Sequence, residues 1–343
     1  MQTPPKLIHG DKIAIIATAR KISQIEIKPA VELLNKWGFE TVFGRNLFRE
    51  YNQFAGTDKE RAEDLQWALD DENIKAILIA RGGYGTVKII DTIDFANFVQ
   101  KPKWIIGYSD VSVLHLHIHK NFSIETLHAT MPINFPENGT ENKSLASLKK
   151  AINEESLTYS FPSQPLNREG ETEGILIGGN LSIIYSITAT NSDINTDGKI
   201  LFIEDLDEYL YHIDRMMTNL KRSGKLANLA GLIVGGMTEM NDNTVPYGKT
   251  AEEIVAEAVA EYSYPVCFQF SAGHIAENNA LILGRNVKLV VAKHECNLDF
   301  EKSQDSDKSI KTLFKRSKGI ILAISGFFIF IYILLKLINY LLS

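Results

Sequence analysis

The sequence predicts an α/β protein with an N-terminal domain on a doubly wound parallel sheet, a C-terminal α+β domain and a C-terminal transmembrane helix. Three observations lead there. Up to Lys120, short apolar runs alternate with amphipathic stretches of about helix length, the pattern of parallel strands joined by crossover helices. A polar stretch with Pro162 and Pro165 then separates this half from one that reads differently. Finally, residues 319–335 (GIILAISGFFIFIYILL) contain no charge at all.

Residues 12–17 (KIAIIA) form an apolar run of strand length, residues 25–37 have helical period, residues 40–43 are a strand candidate, and residues 59–69 make a second amphipathic helix. Residues 76–80 (AILIA) read as a buried strand running into a turn with Gly82, Gly83 and Gly85. Residues 104–108 (WIIGY) read as another strand, and residues 110–120 as the helix after it. Chemistry in such sheets collects at the carboxyl ends of strands, where both the glycine turn and Ser109 fall. Residues 138–173 are polar and read as the interdomain connection. Beyond them, residues 174–177, 199–203, 232–234 and 281–291 are strand candidates, residues 266–270 resemble a strand, and residues 211–220 and 251–262 are helices. The expected boundaries are 1–145 for the first domain, 146–170 for the linker and 171–300 for the second domain.

The 343 residues, 45% hydrophobic and 23% charged, are ordinary globular usage and exclude a disordered or disulfide-stapled chain. Of the net charge of −6, residues 301–343 contribute +4, from seven basic and three acidic residues, which leaves the body at −10. So acidic a body repels phosphate backbones, which argues against nucleic acid as a partner. Cys267 and Cys296 show no CxxC spacing, so they read as reduced thiols rather than a disulfide framework or a zinc site. Pro4, Pro5 and Asp11 stand where a cleaved secretory signal needs an apolar core.

Residues 319–342 could cross a hydrocarbon layer of roughly 30 Å, with Lys336 reaching toward the far interface. A buried core helix is the competing reading. It fits less well, because the segment is apolar on every face and follows a polar, basic linker at 301–318. Lys308, Lys311, Lys315, Arg316 and Lys318 all lie on its N-terminal side. The positive-inside rule therefore predicts a single-pass protein of the cytoplasmic membrane with its body in the cytoplasm.

Ser109, in Gly107-Tyr108-Ser109-Asp110, sits at a strand-to-helix turn, where free helix N–H groups point at the place an oxyanion would form. That suits a nucleophile, but serine is also a preferred helix cap, and Val111 replaces the second glycine of GxSxG. The turn Arg81-Gly82-Gly83-Tyr84-Gly85 offers bare N–H groups for a phosphate or an oxyanion, without the lysine of a P-loop or the spacing of GxGxxG. Glu204, Asp205, Asp207 and Glu208 follow an apolar strand, and His274 follows Ser271-Ala272-Gly273. A serine needs a base and the base an orienting carboxylate, although acidic turns are usually solvated surface. His115 and His119 share a helix face, but the glutamate of HExxH is missing, so these histidines and His117 read as packing or surface groups rather than metal ligands.

Together, RGGYG at 81–85, GYSD at 107–110, LFIEDLDE at 201–208 with IDRM at 213–216, and GH at 273–274 resemble the serine LD-carboxypeptidases, peptidase family S66. That family includes the murein tetrapeptide LD-carboxypeptidases and the microcin C immunity peptidases, and order and spacing agree over residues 6–291. The resemblance implies Ser109 as nucleophile, His274 as general base and Glu204 as its orienting acid. It also implies oxyanion donors from the N–H groups of Asp110 and the Gly82-Gly83 turn, a two-domain fold with the site between domains, and no metal or cofactor. The expected reaction is release of terminal D-Ala from a muropeptide tetrapeptide in cell-wall recycling. The alternatives are an immunity-type peptidase acting on an aminoacyl-nucleotide antibiotic and a non-catalytic muropeptide-binding membrane protein. Homodimerisation is left open. Two stretches depart from the family pattern: Ala19-Arg20 replaces a small polar or glycine turn, and Leu127-His128-Ala129-Thr130 replaces a His-Gly-Pro stretch.

Overall fold

The structure, a computed structural model, describes residues 1–300. The expected linker at 301–318 and apolar helix at 319–342 lie outside the described residues. Among the described residues no helix is long and apolar enough to cross a membrane.

Strand β1 (Lys12–Ile16) is nearly all buried and is followed by helix α1 (Gln24–Lys36), strand β2 (Glu40–Phe43), helix α2 (Asp58–Asp70) and strand β3 (Ile74–Ile79). Both helices begin with reciprocal capping boxes, Ser23 with Glu26 and Thr57 with Glu60, which satisfy N–H groups the helix leaves free. A short helix α3 (Ala96–Gln100) leads to β4 (Trp104–Gly107), then α4 (Ser112–Phe122) and β5 (Thr126–His128). Strands β2, β1, β3, β4 and β5 lie side by side in parallel. This puts the ends of β3 and β4 next to each other.

The polar stretch at 138–173 is more structured than its composition suggests. It contains helix α5 (Lys143–Ile152), strand β6 (Thr158–Pro162) and the start of the long strand β7 (Gly170–Asn180). Helix α5 buries Leu145, Leu148, Ala151 and Ile152 along one face, and Asn142 caps it by accepting from the Leu145 N–H at 2.9 Å. Helix α6 (Leu181–Ser186), β8 (Ile200–Leu206), α7 (Leu210–Arg222), β9 (Gly231–Thr238), α8 (Ala251–Ala258) and β10 (Val266–Cys267) follow. Helix α7 presents Ile213, Met216, Met217 and Leu220 to the interior, the spacing of one helical face.

The expected single strand at 281–291 is two strands in two sheets. The chain turns at Gly284, φ +95°, between β11 (Leu281–Leu283) and β12 (Asn286–Val291). A methyl on Gly284 would stand 2.8 Å from Met1 Sδ and 3.2 Å from Glu125 Cα. Strand β11 joins β5 antiparallel, so the first sheet is mixed rather than wholly parallel. The second sheet is mixed too: β7 to β10 are parallel, whereas β12, β13 (Glu295–Phe300) and β6 add antiparallel.

One apolar cluster joins the two sheets, with Trp104, Ile106 and Leu127 from the first and Phe202, Ile233 and Phe270 from the second half of the chain. The buried pair Glu125–Arg285, with N···O distances of 2.6 and 3.2 Å, ties the Gly284 turn to the approach of β5. Closer to the site, Ser112 Oγ accepts from the Asn180 N–H at 3.0 Å. That approach needs Gly179, where a methyl would stand 2.4 Å from Ser112 Oγ.

Candidate active site

Ser109 follows β4 with φ +66°, a left-handed conformation that costs a residue with a Cβ roughly 1–2 kcal/mol. Tertiary contacts hold it there. Gly82 faces it so closely that a methyl would lie 2.7 Å from both Cβ and Oγ of Ser109 and 3.6 Å from the Asp110 backbone N. The expected helix at residue 110 therefore begins as a 3₁₀ turn over Ser109–Val111, and α4 proper starts at Ser112. Neither Ser109 nor Asp110 is a mere solvent-facing cap. The Asp110 side chain is buried and accepts from the Thr86 N–H at 2.8 Å, pinning the far end of the glycine turn. Burial pushes this carboxyl above the usual carboxylate range, against the opposing Thr86 hydrogen bonds. Under the turn, the buried Arg61 donates to the carbonyls of Thr18 and Gly56 at 3.0 and 2.7 Å.

Glu204 ends the apolar run of β8 and is fully buried, and Asp205 beside it is 1% exposed. The reading of this cluster as a solvated acidic turn holds only further on, where Asp207 is exposed. Parallel register sets Glu204 opposite Asn180 of β7, and the loop after β10 brings His274 to it. Glu204 Oε2 accepts from His274 Nδ1 at 2.7 Å and from the His274 backbone N–H at 3.2 Å. The approach needs Gly273, φ +103°, because a methyl there would lie 2.6 Å from Glu204 Oε2. Accepting at a carboxylate fixes the proton on Nδ1 and leaves Nε2 as the free base. Burial pulls the imidazole down, but the charge and hydrogen bond of Glu204, with Asp205 and Glu239 behind, outweigh it and hold His274 above the ordinary histidine range.

Ser109 and His274 face the same cleft, of about 500 Å³, with Gly82, Gly83, Asp110, Arg20 and Arg81 on its walls. The Tyr108 ring packs 4.8 Å from the His274 ring, and burial together with Glu204 pushes its phenol up to about 12. Asp205 accepts from Asn180 Nδ2 at 2.9 Å and the Ser182 N–H at 2.8 Å. Burial and the neighbouring Glu204 raise its carboxyl to about 7. A separate cavity of about 400 Å³, bounded by Tyr159, Phe161 and Phe270, includes neither Ser109 nor His274.

His115 and His119 do not face this cleft. His115 Nε2 hydrogen-bonds the Gly107 carbonyl at 2.9 Å and His119 Nε2 the Thr126 hydroxyl at 3.0 Å, while His117 Nδ1 meets the Ser192 hydroxyl at 2.9 Å. Burial pulls His115 and His119 down to about 4 and about 3, so both are neutral interior groups. Cys267 and Cys296 are buried free thiols. Sequence reasoning did not single out Asn180, which orients Asp205 and meets Ser112; its signal was the glycine pair Gly178-Gly179 at a strand end.

Residues 13–129 match the model of the LD-carboxypeptidase N-terminal domain and residues 173–289 that of the C-terminal domain. The chain belongs to the LD-carboxypeptidase family. This LD-carboxypeptidase is 34% identical over 297 residues to a probable murein peptide carboxypeptidase of Bacillus subtilis, covering 84% of this chain and 92% of the relative. It is 28% identical over 289 residues to the murein tetrapeptide carboxypeptidase of Pseudomonas aeruginosa, covering 81% and 92% of the two chains. Its fold is shared with the muramoyltetrapeptide carboxypeptidase of Oxalobacter formigenes (TM-score 0.77, 24% identity, 84% and 98% coverage). It is also shared with the microcin C7 self-immunity protein MccF (TM-score 0.76, 21% identity, 87% and 98% coverage).

Proposed function

We propose that this LD-carboxypeptidase hydrolyses the bond before the terminal D-Ala of a muropeptide tetrapeptide with a Ser109–His274–Glu204 triad. The observation that carries the reading is the 2.7 Å contact from Glu204 to His274 in the cleft that Ser109 enters from a left-handed elbow. Ser109 Oγ attacks the carbonyl carbon of the third residue while His274 Nε2 takes the hydroxyl proton. In this reading the N–H groups of Asp110 and of the Gly82-Gly83 turn, residues that line the cleft with Ser109, donate to the new oxyanion. Collapse breaks the C–N bond as His274 returns the proton to the departing D-Ala amine. Water, deprotonated by His274, then attacks the acyl-enzyme, and the carbonyl carbon releases Ser109 with its proton restored. Glu204 keeps the imidazole in the reactive tautomer and offsets its positive charge.

The murein substrates named for the relatives favour this over an antibiotic-inactivating reaction, for which the same three side chains would serve. The charge pattern at 301–342 supports tethering to the cytoplasmic membrane, where imported muropeptides would be met. Mass spectrometry of the protein incubated with a tetrapeptide muropeptide tests the reaction. The expected product is the tripeptide plus free D-Ala, with turnover lost by orders of magnitude in Ser109→Ala. An intact tetrapeptide with the wild type, or wild-type turnover in Ser109→Ala, overturns it.

A further inference from the structure

We infer that Arg20 forms the subsite for the free α-carboxylate of the departing residue, and so confines hydrolysis to the last peptide bond. The inference rests on the reading of the cleft as a carboxypeptidase site and adds the group that selects a chain end. A terminal residue differs from an internal one by its carboxylate, and a cation beside the scissile bond is the strongest side-chain partner for it. The carboxylate carbon lies three bonds past the carbonyl carbon that Ser109 would attack, no more than about 4 Å away.

Two cations line the cleft, Arg20 and Arg81. Arg81 is committed elsewhere: it donates to the Lys21 carbonyl at 3.2 Å and lies 3.7 Å from Glu26. The Arg20 guanidinium has no hydrogen bond or ion pair among the described residues, yet its stem is held. Its backbone bridges to Phe54, and its Cγ and Cδ lie over Gly83, where a methyl would stand 2.3 Å from each. Gly82, the next residue back, is in the same sense filled by Ser109. Adjacent glycines thus carry the nucleophile and the base of the Arg20 stem. A guanidinium offers a planar fork that fits a carboxylate with two N–H donors.

The rest of the wall fixes the direction. Asp205, Asp207 and Glu208 also line the cleft, and their partners are protein groups: Asn180 for Asp205, Asn241 for Asp207 and His212 for Glu208. Asp207 and Glu208 repel a substrate carboxylate, and Asp205, raised to about 7, offers it no cation, which leaves Arg20 as its favourable neighbour.

The test uses the full chain and two substrates, a muropeptide tetrapeptide ending in free D-Ala and the same peptide ending in D-alaninamide. The wild type is expected to prefer the acid about 30- to 100-fold in kcat/KM, the range of a hydrogen bond to a charged group. Arg20→Ala should collapse that preference to within about threefold, and Arg20→Lys should restore part of it, because a point charge replaces the fork. Equal turnover of acid and amide by the wild type overturns the inference without recourse to any variant. So does a preference that survives Arg20→Ala, or one that is lost in Arg81→Ala instead. Failure of the wild type to cleave either peptide overturns the carboxypeptidase reading itself, and the inference with it.

Discussion

Gly82 should be the residue whose smallest change separates activity from folding. In Gly82→Ala the new methyl would begin 2.7 Å from Ser109 Cβ and Oγ, whereas carbon contacts are comfortable at about 3.5–4.0 Å. One side must therefore move by about 1 Å. Ser109 has little room to yield, since its backbone is already left-handed at φ +66° and Asp110 is pinned to Thr86. A misplacement of about 1 Å at a reacting group costs on the order of 100-fold in rate, and crowding of this kind costs about 1–3 kcal/mol of stability. The expected variant is folded, melts a few degrees below wild type, and has kcat/KM for the tetrapeptide reduced at least about 100-fold. Labelling of Ser109 by a serine-reactive phosphonate should slow in parallel, because the attacking oxygen itself is displaced. A folded Gly82→Ala protein with wild-type kcat/KM and labelling rate would refute the placement of Ser109 against the glycine turn.

The other predictions concern the base, the frame and the tail. With a neutral imidazole as base, kcat/KM should rise with pH through the His274 titration, with its midpoint above the ordinary histidine range because Glu204 outweighs burial. In Glu204→Gln the charge is lost and burial remains, so the midpoint should move to lower pH while the plateau falls about 10²- to 10⁴-fold; an unmoved midpoint would show that Glu204 does not tune the base. Arg285→Ala leaves the Glu125 carboxylate, itself buried, without its partner, which should cost about 3–5 kcal/mol by chemical denaturation, and Glu125→Gln in the same chain should recover part of that; a loss below about 1 kcal/mol would mean the pair does not brace the Gly284 turn. The full chain should sediment with the cytoplasmic membrane, its body protected from protease added outside spheroplasts, whereas a chain truncated before Lys308 should remain in the supernatant with activity retained; digestion of the body from outside would reverse the orientation.

Local physics made much of the frame legible. Strand β2 runs over Glu40–Phe43 as expected, and β1, α1 and α2 differ from expectation only at their ends, because apolar period, capping residues and glycine turns are short-range signals. The five short stretches that resemble the LD-carboxypeptidases were legible for the same reason, as each is contiguous in the chain. Helix α5 was missed because four buried apolar residues in a polar stretch are too few to mark a helix without the surface they pack on. The break in residues 281–291 was missed because nothing local says that Leu281–Leu283 pairs with β5 while its continuation pairs with β7.

The site divides in the same way. Ser109, the glycine turn, the acidic cluster and His274 could each be picked out from the chain, yet the choice of Glu204 over Asp205, Asp207 or Glu208 depends on which carboxylate the parallel register points at the loop of His274. Its burial, and with it the raised His274, follows from the sheet above and below rather than from neighbours in sequence. That the Arg20 guanidinium has no partner among the described residues is likewise a tertiary fact, because a guanidinium's partners are settled by what the fold brings within about 4 Å of it. Residue types and their order determined the chemistry available to this protein; long-range packing decided which groups meet, since hydrogen bonds and charges act over a few ångströms while Glu204 and His274 are 70 positions apart.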